Sequence, residues 1–520
     1  MRLAAVLLLG VAAALFLFAA APLHPLLDAQ AGHVVQETTI RAIRMRAVVC
    51  GAIVILIALA SRRLEWRRPT ARSETPRSRP AWTPALPVIL LIGVAVRAVL
   101  LFGPLHYDEA FTVVEFAWRS PLFFLSRYLF PNNHVFHTLL VWCVHTVGGD
   151  QLWALRLPAF LAGVAVLPAT YLLALRVANE SAATIATALA AVATPLVEYS
   201  AQARGYTIVT LLFLLLFLID DDRVRAILIA VGGWTVPTML FAAAAWAGWM
   251  AITQRAWRRI AAVAAVSAAL TFLLYVPIFV VSGPLSMIAD GNVRSVTYGY
   301  DDLGRQLPPS FLDTWERWST SFTLPFALVA GAAAAVAIVR RRPAGVLLGS
   351  ALVALGTMLL VIRKVPFPRI WIFLLPLYLI AAADSLALLP RANVAAVLMA
   401  LLLGANALRV TNRDDFIDHP SLRDAPAIAA VVRALPAEAC VLVMPPLDAA
   451  VRLYTAGAAA FVEYPYESDD AAVRAALAAA PRRYFIATTR DGMDAYARLG
   501  LPYALVPLQR FPHAVLYELR

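Results

Sequence analysis

Apolar stretches of about 17–25 residues recur from Leu3 onward, separated by short turns that carry arginine, and no other feature restricts the fold of this chain so tightly. Hydrocarbon offers backbone N–H and C=O groups no partner, so runs of this kind must close their hydrogen bonds within helices. Composition agrees: 61% of the 520 residues are hydrophobic, 15% are charged, and the mean hydropathy is +0.75. These values exclude one large soluble domain. The net charge of +12 would point to nucleic acid in a soluble protein. Here the arginines stand in clusters between apolar runs, where they orient membrane helices, and no nucleic-acid partner is expected. Cys50, Cys143 and Cys440 are too scattered for a metal motif or a disulfide framework.

Taken in order, the first run spans about Leu3 to Ala21. It leads into many similar runs, so it reads as an uncleaved span rather than a signal peptide. A second run ends near Ala60. The loop behind it carries Arg62, Arg63, Arg67, Arg68, Arg72, Arg77 and Arg79 among prolines and is the strongest cytoplasmic signal in the chain. The run from Ala85 to Gly103 therefore crosses outward, and Asp108 and Glu109 emerge on the outer face. Short amphipathic helices are expected along that interface from Ala110 to Tyr128. Val135 to Val147 reads as a re-entrant or surface helix. Spans follow at about Leu152–Leu175 and Ala182–Val197, the latter returning outward to Glu198–Tyr206. Thr207–Ile219 goes in, a short pair turns outside at Trp234–Thr238, and Ala261–Val281 opens an outer loop from Ser282 to Ser321. Phe322–Val339, Ala344–Val361, Ile370–Leu388 and Val394–Leu403 complete about thirteen spans, with the N-terminus inside and the C-terminus outside.

From about Arg409 the composition becomes that of a soluble domain. Val441–Val443 and Tyr484–Ala487 predict buried strands. Ala425–Ala434, Asp469–Ala480 and Gly492–Leu499 predict amphipathic helices. The fold class is thus an all-α polytopic membrane protein with a small C-terminal α/β extracytoplasmic domain. No glycine-rich phosphate loop or nucleophile motif occurs in that domain.

Paired acids beside hydrocarbon are costly and point to function. The outer-face polar set is Asp108, Glu109, Asn133, His134, Arg156, Glu198, Arg204, Tyr206, Arg363, Lys364 and Arg369. Arginine grips phosphate through two parallel N–H bonds, and lysine serves as a point charge. A nearby carboxylate can accept a proton from an attacking hydroxyl. Together these groups describe transfer from a lipid phosphate that departs as the leaving group. Plainer roles exist beside that one: Arg204 and Tyr206 as interface anchors, and Asn133 with His134 as a helix cap. Arg363 and Lys364 break the inside bias of the other basic clusters, so topology alone does not account for them. The adjacent acids suit either ligation of a divalent cation or a base with its orienter, and spacing does not choose between the two. A transporter or flippase without chemistry would also surround a polar cavity with charge, although no internal repeat is evident.

Five motifs occur in a telling order: Tyr107-Asp108-Glu109-Ala110, Asn132-Asn133-His134, Ala154-Leu155-Arg156-Leu157-Pro158, Glu198-Tyr199-Ser200 through Arg204-Gly205-Tyr206, and Pro368-Arg369 with Pro376. From about Pro84 to Leu388 the chain resembles glycosyltransferase family 39 of the GT-C fold, which includes protein O-mannosyltransferases and lipid A aminoarabinose transferases. That resemblance implies a polyprenyl-phosphate sugar donor and inverting transfer on the outer face of a bacterial inner membrane. It implies Asp108 as base and Glu109 as its partner acid, with Tyr107, Asn133, His134 and Tyr206 near the substrate. Arg156 and Arg204 match positions near the donor phosphate, and Lys364 and Arg369 join them through outer-face position and a looser match. Asn133-His134-Val135 departs from the family pattern, and Pro237-Thr238 has no familiar counterpart. The acceptor is therefore open among lipid, glycan and protein, and a lipid-linked oligosaccharide polymerase or ligase is a related alternative. The expected organisation is two N-terminal helices with a basic loop (1–83), a catalytic membrane region (84–408) and the outer domain (409–520).

Overall fold

The structure, a computed structural model, describes residues 2–25, 27, 35–61, 83–103, 105–289, 292–293, 296–298, 302–388, 392–411, 420–455, 460–463, 470–488 and 492–520. The arginine-rich loop at 62–79, and Asp290, Arg294, Asp301 and Arg391, lie outside these residues. Helices account for most of the described residues up to Thr411. Among them are α1 (Arg2–Ala20), α2 (Glu37–Ser61), α3 (Ala85–Leu100), α4 (Tyr107–Thr112), α5 (Val135–Gly148), α6 (Leu157–Val177), α7 (Glu180–Val192) and α8 (Thr194–Glu198). After them come α9 (Tyr206–Leu218), α10 (Asp222–Thr235), α11 (Met239–Gln254), α12 (Trp257–Val281), α13 (Leu303–Ser319), α14 (Leu324–Val339), α15 (Pro343–Ile362), α16 (Leu375–Leu386) and α17 (Ala392–Thr411).

Among the described residues, five helical stretches are long and apolar enough to cross a membrane: α2, α6, α12, α15 and Pro368–Leu386. Two bent pairs pass together, α7 with Thr194–Ala201 at 63° and α13 with α14 at 114°. Shorter apolar helices, α5, α9 and α11 among them, stand beside these. Large apolar side chains such as Leu17, Leu91, Leu161, Leu240 and Val353 point outward, each more than 60% exposed. An apolar exterior of this extent fits hydrocarbon rather than water.

At the centre lies α7, whose side chains from Ala182 to Val192 are all buried. Its run of alanines and threonines lets α3, α6, α16 and α17 approach closely around it. Gly93 of α3 marks one such approach: a Cβ there would lie 2.5 Å from Leu167 Cδ1 and 3.1 Å from Ala191 Cβ. The pair α1–α2 packs at the side through Leu23, Ile40 and Ile43 against Val276 and Val280 of α12.

Three expectations need correction. The straight span predicted over Ala182–Val197 is broken at Ala193, because Pro195 removes an N–H from the ladder. The outer loop predicted over Ser282–Ser321 contains α13, an amphipathic helix that holds Pro308 and Pro309. The span predicted from Ile370 begins instead as a 3₁₀ turn over Pro368–Leu374 before α16.

The C-terminal region forms one mixed sheet in the order β2-β1-β3-β5-β4, built from β1 (Ala439–Val443), β2 (Ala460–Glu463), β3 (Arg482–Thr488), β4 (Leu505–Arg510) and β5 (Ala514–Leu519). The two predicted strands are β1 and β3, which pair in parallel at the centre of the sheet. On one face α18 (Ala425–Arg433) and α19 (Asp448–Thr455) cover Val441, Val443 and Ile486. On the other, α20 (Asp470–Ala479) and α21 (Gly492–Leu499) cover Cys440, Leu442 and Phe485. The first of these clusters continues without a break into Leu105, Ala110, Val113 and Val114 of the membrane region. The domain is seated on α4 itself.

Candidate active site

Helix α4 is six residues long and carries both acids in its first turn, where the N-terminal dipole favours negative charge. Adjacent on that turn, they face different ways. Glu109 points inward and is 2% exposed. Its Oε1 accepts the backbone N–H of His106 at 2.9 Å and an Nη2–H of Arg156. Its Oε2 accepts Arg156 Nε–H and the backbone N–H of Ala203, each at 3.0 Å. Four donors fill the acceptor sites of that carboxylate. Arg156 in turn donates through Nη1 to the carbonyls of Leu101 at 2.8 Å and Gly103 at 3.0 Å. The pair ties the end of α3, the start of α4 and the loop before α9 into one unit. Burial pushes the Glu109 carboxyl up, but the Arg156 guanidinium outweighs it and holds the group below the usual carboxylate range.

Asp108 points the other way, with its side chain 24% exposed. Asn132 Nδ2 donates to its Oδ1 at 2.9 Å. Arg369 Nη1 reaches Oδ2 at 3.2 Å and Arg204 Nη2 reaches the same oxygen at 3.4 Å. Burial again pushes the carboxyl up, and Arg204 and Arg369 together pull it below its ordinary value. Asp108 is therefore an ionised, reachable carboxylate between two guanidiniums. Arg204 is buried, stacks over Tyr206 at 5.6 Å and lies 3.4 Å from Thr112 Oγ1. Its Nε–H finds no acceptor among the described residues.

The other expected site residues serve as framework. His134 Nδ1 accepts the backbone N–H of Gly205 at 3.0 Å, and its ring meets Tyr206 edge to face. Burial, helped by Arg204, keeps the His134 ring well below its ordinary pKa, so it is neutral and able to accept. Gly205 is required there, since a Cβ would fall 2.5 Å from Thr235 Cγ2. Asn133 donates to the carbonyls of Phe124 and Arg127 and closes the loop before α5. Its neighbour Asn132, part of the same sequence motif but not of the expected site set, is the one that touches Asp108. Tyr206 packs on Tyr199, and Tyr107 packs on Phe111 beside the C-terminal domain. Among the described residues, the cations that reach Asp108 are Arg204 and Arg369. Lys364 is half-buried just past the end of α15 and is not one of them.

A cleft opens next to Arg369, lined by Glu198, Tyr199, Arg317, Trp318 and Pro368. Arg317 and Trp318 belong to α13, the helix hidden in the expected outer loop. Among the described residues no three His, Cys, Asp or Glu side chains gather to hold a metal ion. The two adjacent acids do not fit that role either, since guanidiniums occupy both.

No family model and no curated protein matches the chain. Solved structures do. ArnT from Cupriavidus metallidurans in the apo state superposes with a TM-score of 0.62, covering 83% of this chain and 97% of that one at 13% identity. The same protein bound to undecaprenyl phosphate gives a TM-score of 0.56 at 14% identity, covering 83% and 97%. At such identities the likeness is one of fold, and the fold is GT-C.

Proposed function

We propose that this multi-pass membrane protein is a glycosyltransferase that takes a sugar from a polyprenyl-phosphate donor and transfers it, with inversion, to an acceptor hydroxyl. The observation that carries this reading is the ionised Asp108 carboxylate facing the guanidiniums of Arg204 and Arg369, one of which keeps a buried N–H in reserve. An incoming phosphate would draw both guanidiniums toward itself and free Asp108 to meet the acceptor. Asp108 then takes the hydroxyl proton as the oxygen attacks the anomeric carbon. The bond to the phosphate oxygen breaks, and the guanidiniums hold the departing polyprenyl phosphate. Glu109, Arg156, His134 and Asn133 keep this arrangement in place. Lys364 is assigned to the lipid phosphate farther out. The undecaprenyl phosphate held by the solved ArnT is a polyprenyl phosphate, the class of leaving group assigned here.

The site is assigned to the extracytoplasmic face of a bacterial inner membrane, with the N-terminus cytoplasmic and residues 409–520 outside. Supporting this, Arg176, Arg225 and Arg259 gather with Asp220 and Asp222 beyond the other end of α9, opposite Arg204. The catalytic region is residues 84–408.

The test is transfer from a polyprenyl-phosphate sugar by purified protein in lipid vesicles. Asp108→Asn should lower turnover by about 10²–10⁴, the range expected for a lost general base. Unchanged turnover in that variant rules out the base.

A further inference from the structure

Arg97 sits inside α3 with no exposure, one turn before the helix ends. A guanidinium at that depth is expensive and calls for a reason. Every hydrogen bond it makes goes to a neutral oxygen. Nη1 donates to Ala191 O at 2.7 Å and Gly93 O at 3.0 Å, Nη2 to Ala190 O at 3.1 Å, and Nε to Ser200 Oγ at 3.2 Å.

Two of those carbonyls explain the rest. In an unbroken helix, Ala190 O would accept the N–H of residue 194 and Ala191 O that of residue 195. Thr194 N–H instead donates to Ser321 Oγ at 2.9 Å, and residue 195 is proline. The break between α7 and α8 thus orphans the carbonyls that Arg97 satisfies. Ser200, on the far side of the break, is held by the same guanidinium and donates in turn to Leu196 O. One side chain therefore spans both arms of the 63° bend. Just beyond the bend lie Ala203, whose N–H binds Glu109, Arg204, which meets Asp108, and Gly205, whose N–H binds His134.

We propose that Arg97 is a positioning residue that fixes the α7–α8 bend and so sets where Arg204 meets Asp108. The kinetic part of this inference rests on the transferase reading; the structural part does not. The experiment uses full-length protein in detergent with Arg97→Gln and Arg97→Lys, followed by backbone hydrogen exchange and by donor KM and kcat. Arg97→Gln should speed exchange across residues 196–206 by about tenfold or more while leaving α15 as it was, because the opening is local. It should raise donor KM several-fold more than it lowers kcat, and Arg97→Lys should recover part of both. If Arg97→Gln does not accumulate, adding Pro195→Ala returns an N–H to Ala191 O; folded protein should reappear with donor KM still raised. Unchanged exchange over 196–206, an equal rise in every helix, or a wild-type KM in the double variant overturns the assignment. Faster exchange confined to 196–206 in a protein whose wild type transfers no sugar supports the bend and removes the transferase.

Discussion

Two neighbouring acids in one helical turn acquire opposite duties from what surrounds them. Glu109 meets four donors and no open space, so its worth lies in stability. Glu109→Gln should cost about 3–5 kcal/mol by leaving the Arg156 guanidinium buried without its counter-charge, measured as a lower unfolding temperature in detergent. Both acids have depressed folded-state pKa values, so the stability they contribute is present above the ordinary carboxylate value and is lost as pH falls through the folded one. With Asp108 as the proposed base, the acidic limb of the kcat/KM profile should fall below the usual carboxylate range. Arg369→Gln removes one of its two guanidiniums, so that limb should move to higher pH while donor KM rises; a limb that stays in place argues against Asp108 as the titrating group. The sequence singled out Asp108, Arg204 and Arg369, whose side chains the structure brings together, because charges at a membrane boundary demand an explanation. It did not reveal which of Asp108 and Glu109, or of Asn132 and Asn133, turns inward, because adjacent side chains share every local signal and only the packed neighbours separate them.

At the scale of elements, apolar runs located the helices, and breaks within them were harder to see. Pro195 is a helix breaker in plain view, but the partners that make the bend tolerable, Arg97 as donor and Ser321 as acceptor, lie about a hundred residues away on either side. Helix α13 was hidden for the opposite reason: its two prolines and polar residues read as loop, although one face packs under the site. In the C-terminal domain the buried centre of the sheet was legible, whereas β4 was not, being largely exposed and containing Pro507. The bend also rests on Gly163 of α6, where a Cβ would fall 1.9 Å from Ser200 Oγ and 2.6 Å from Ser200 Cβ. Gly163→Ala should therefore destabilise the protein by about 1–3 kcal/mol, as overpacking does, and should raise donor KM. Gly10→Ala is the control: nothing lies within 4 Å of its Cβ, so it should be neutral or gain up to about 1 kcal/mol from helix propensity.

At the scale of the whole molecule, the C-terminal domain and the membrane region share one apolar cluster that runs through α4, the helix bearing both acids. Leu447, Val451 and Leu453 of the domain belong to the same buried group as Leu105, Ala110 and Val113. An ion pair crosses nearby, Arg452 to Glu115 at 3.2 Å, with side chains 31% and 19% exposed. Pairs that wet contribute at most about 1 kcal/mol, so Arg452→Ala should leave transfer within a few-fold of wild type. The apolar contact is the stronger term, since each buried aliphatic side chain is worth about 1.5–3 kcal/mol. A chain ending at Thr411 would bare that face of α4 to water and free the short helix to tilt. It should still insert into the membrane, because α1–α17 carry their own packing, yet transfer should fall at least about tenfold, since small misplacements of a catalytic group are costly. Supplying residues 412–520 as a separate polypeptide should recover part of the activity, because the cluster that seats the domain is preserved on both pieces. If the truncated chain transfers sugar at the wild-type rate, the domain is a passive cover and α4 holds its acids without help.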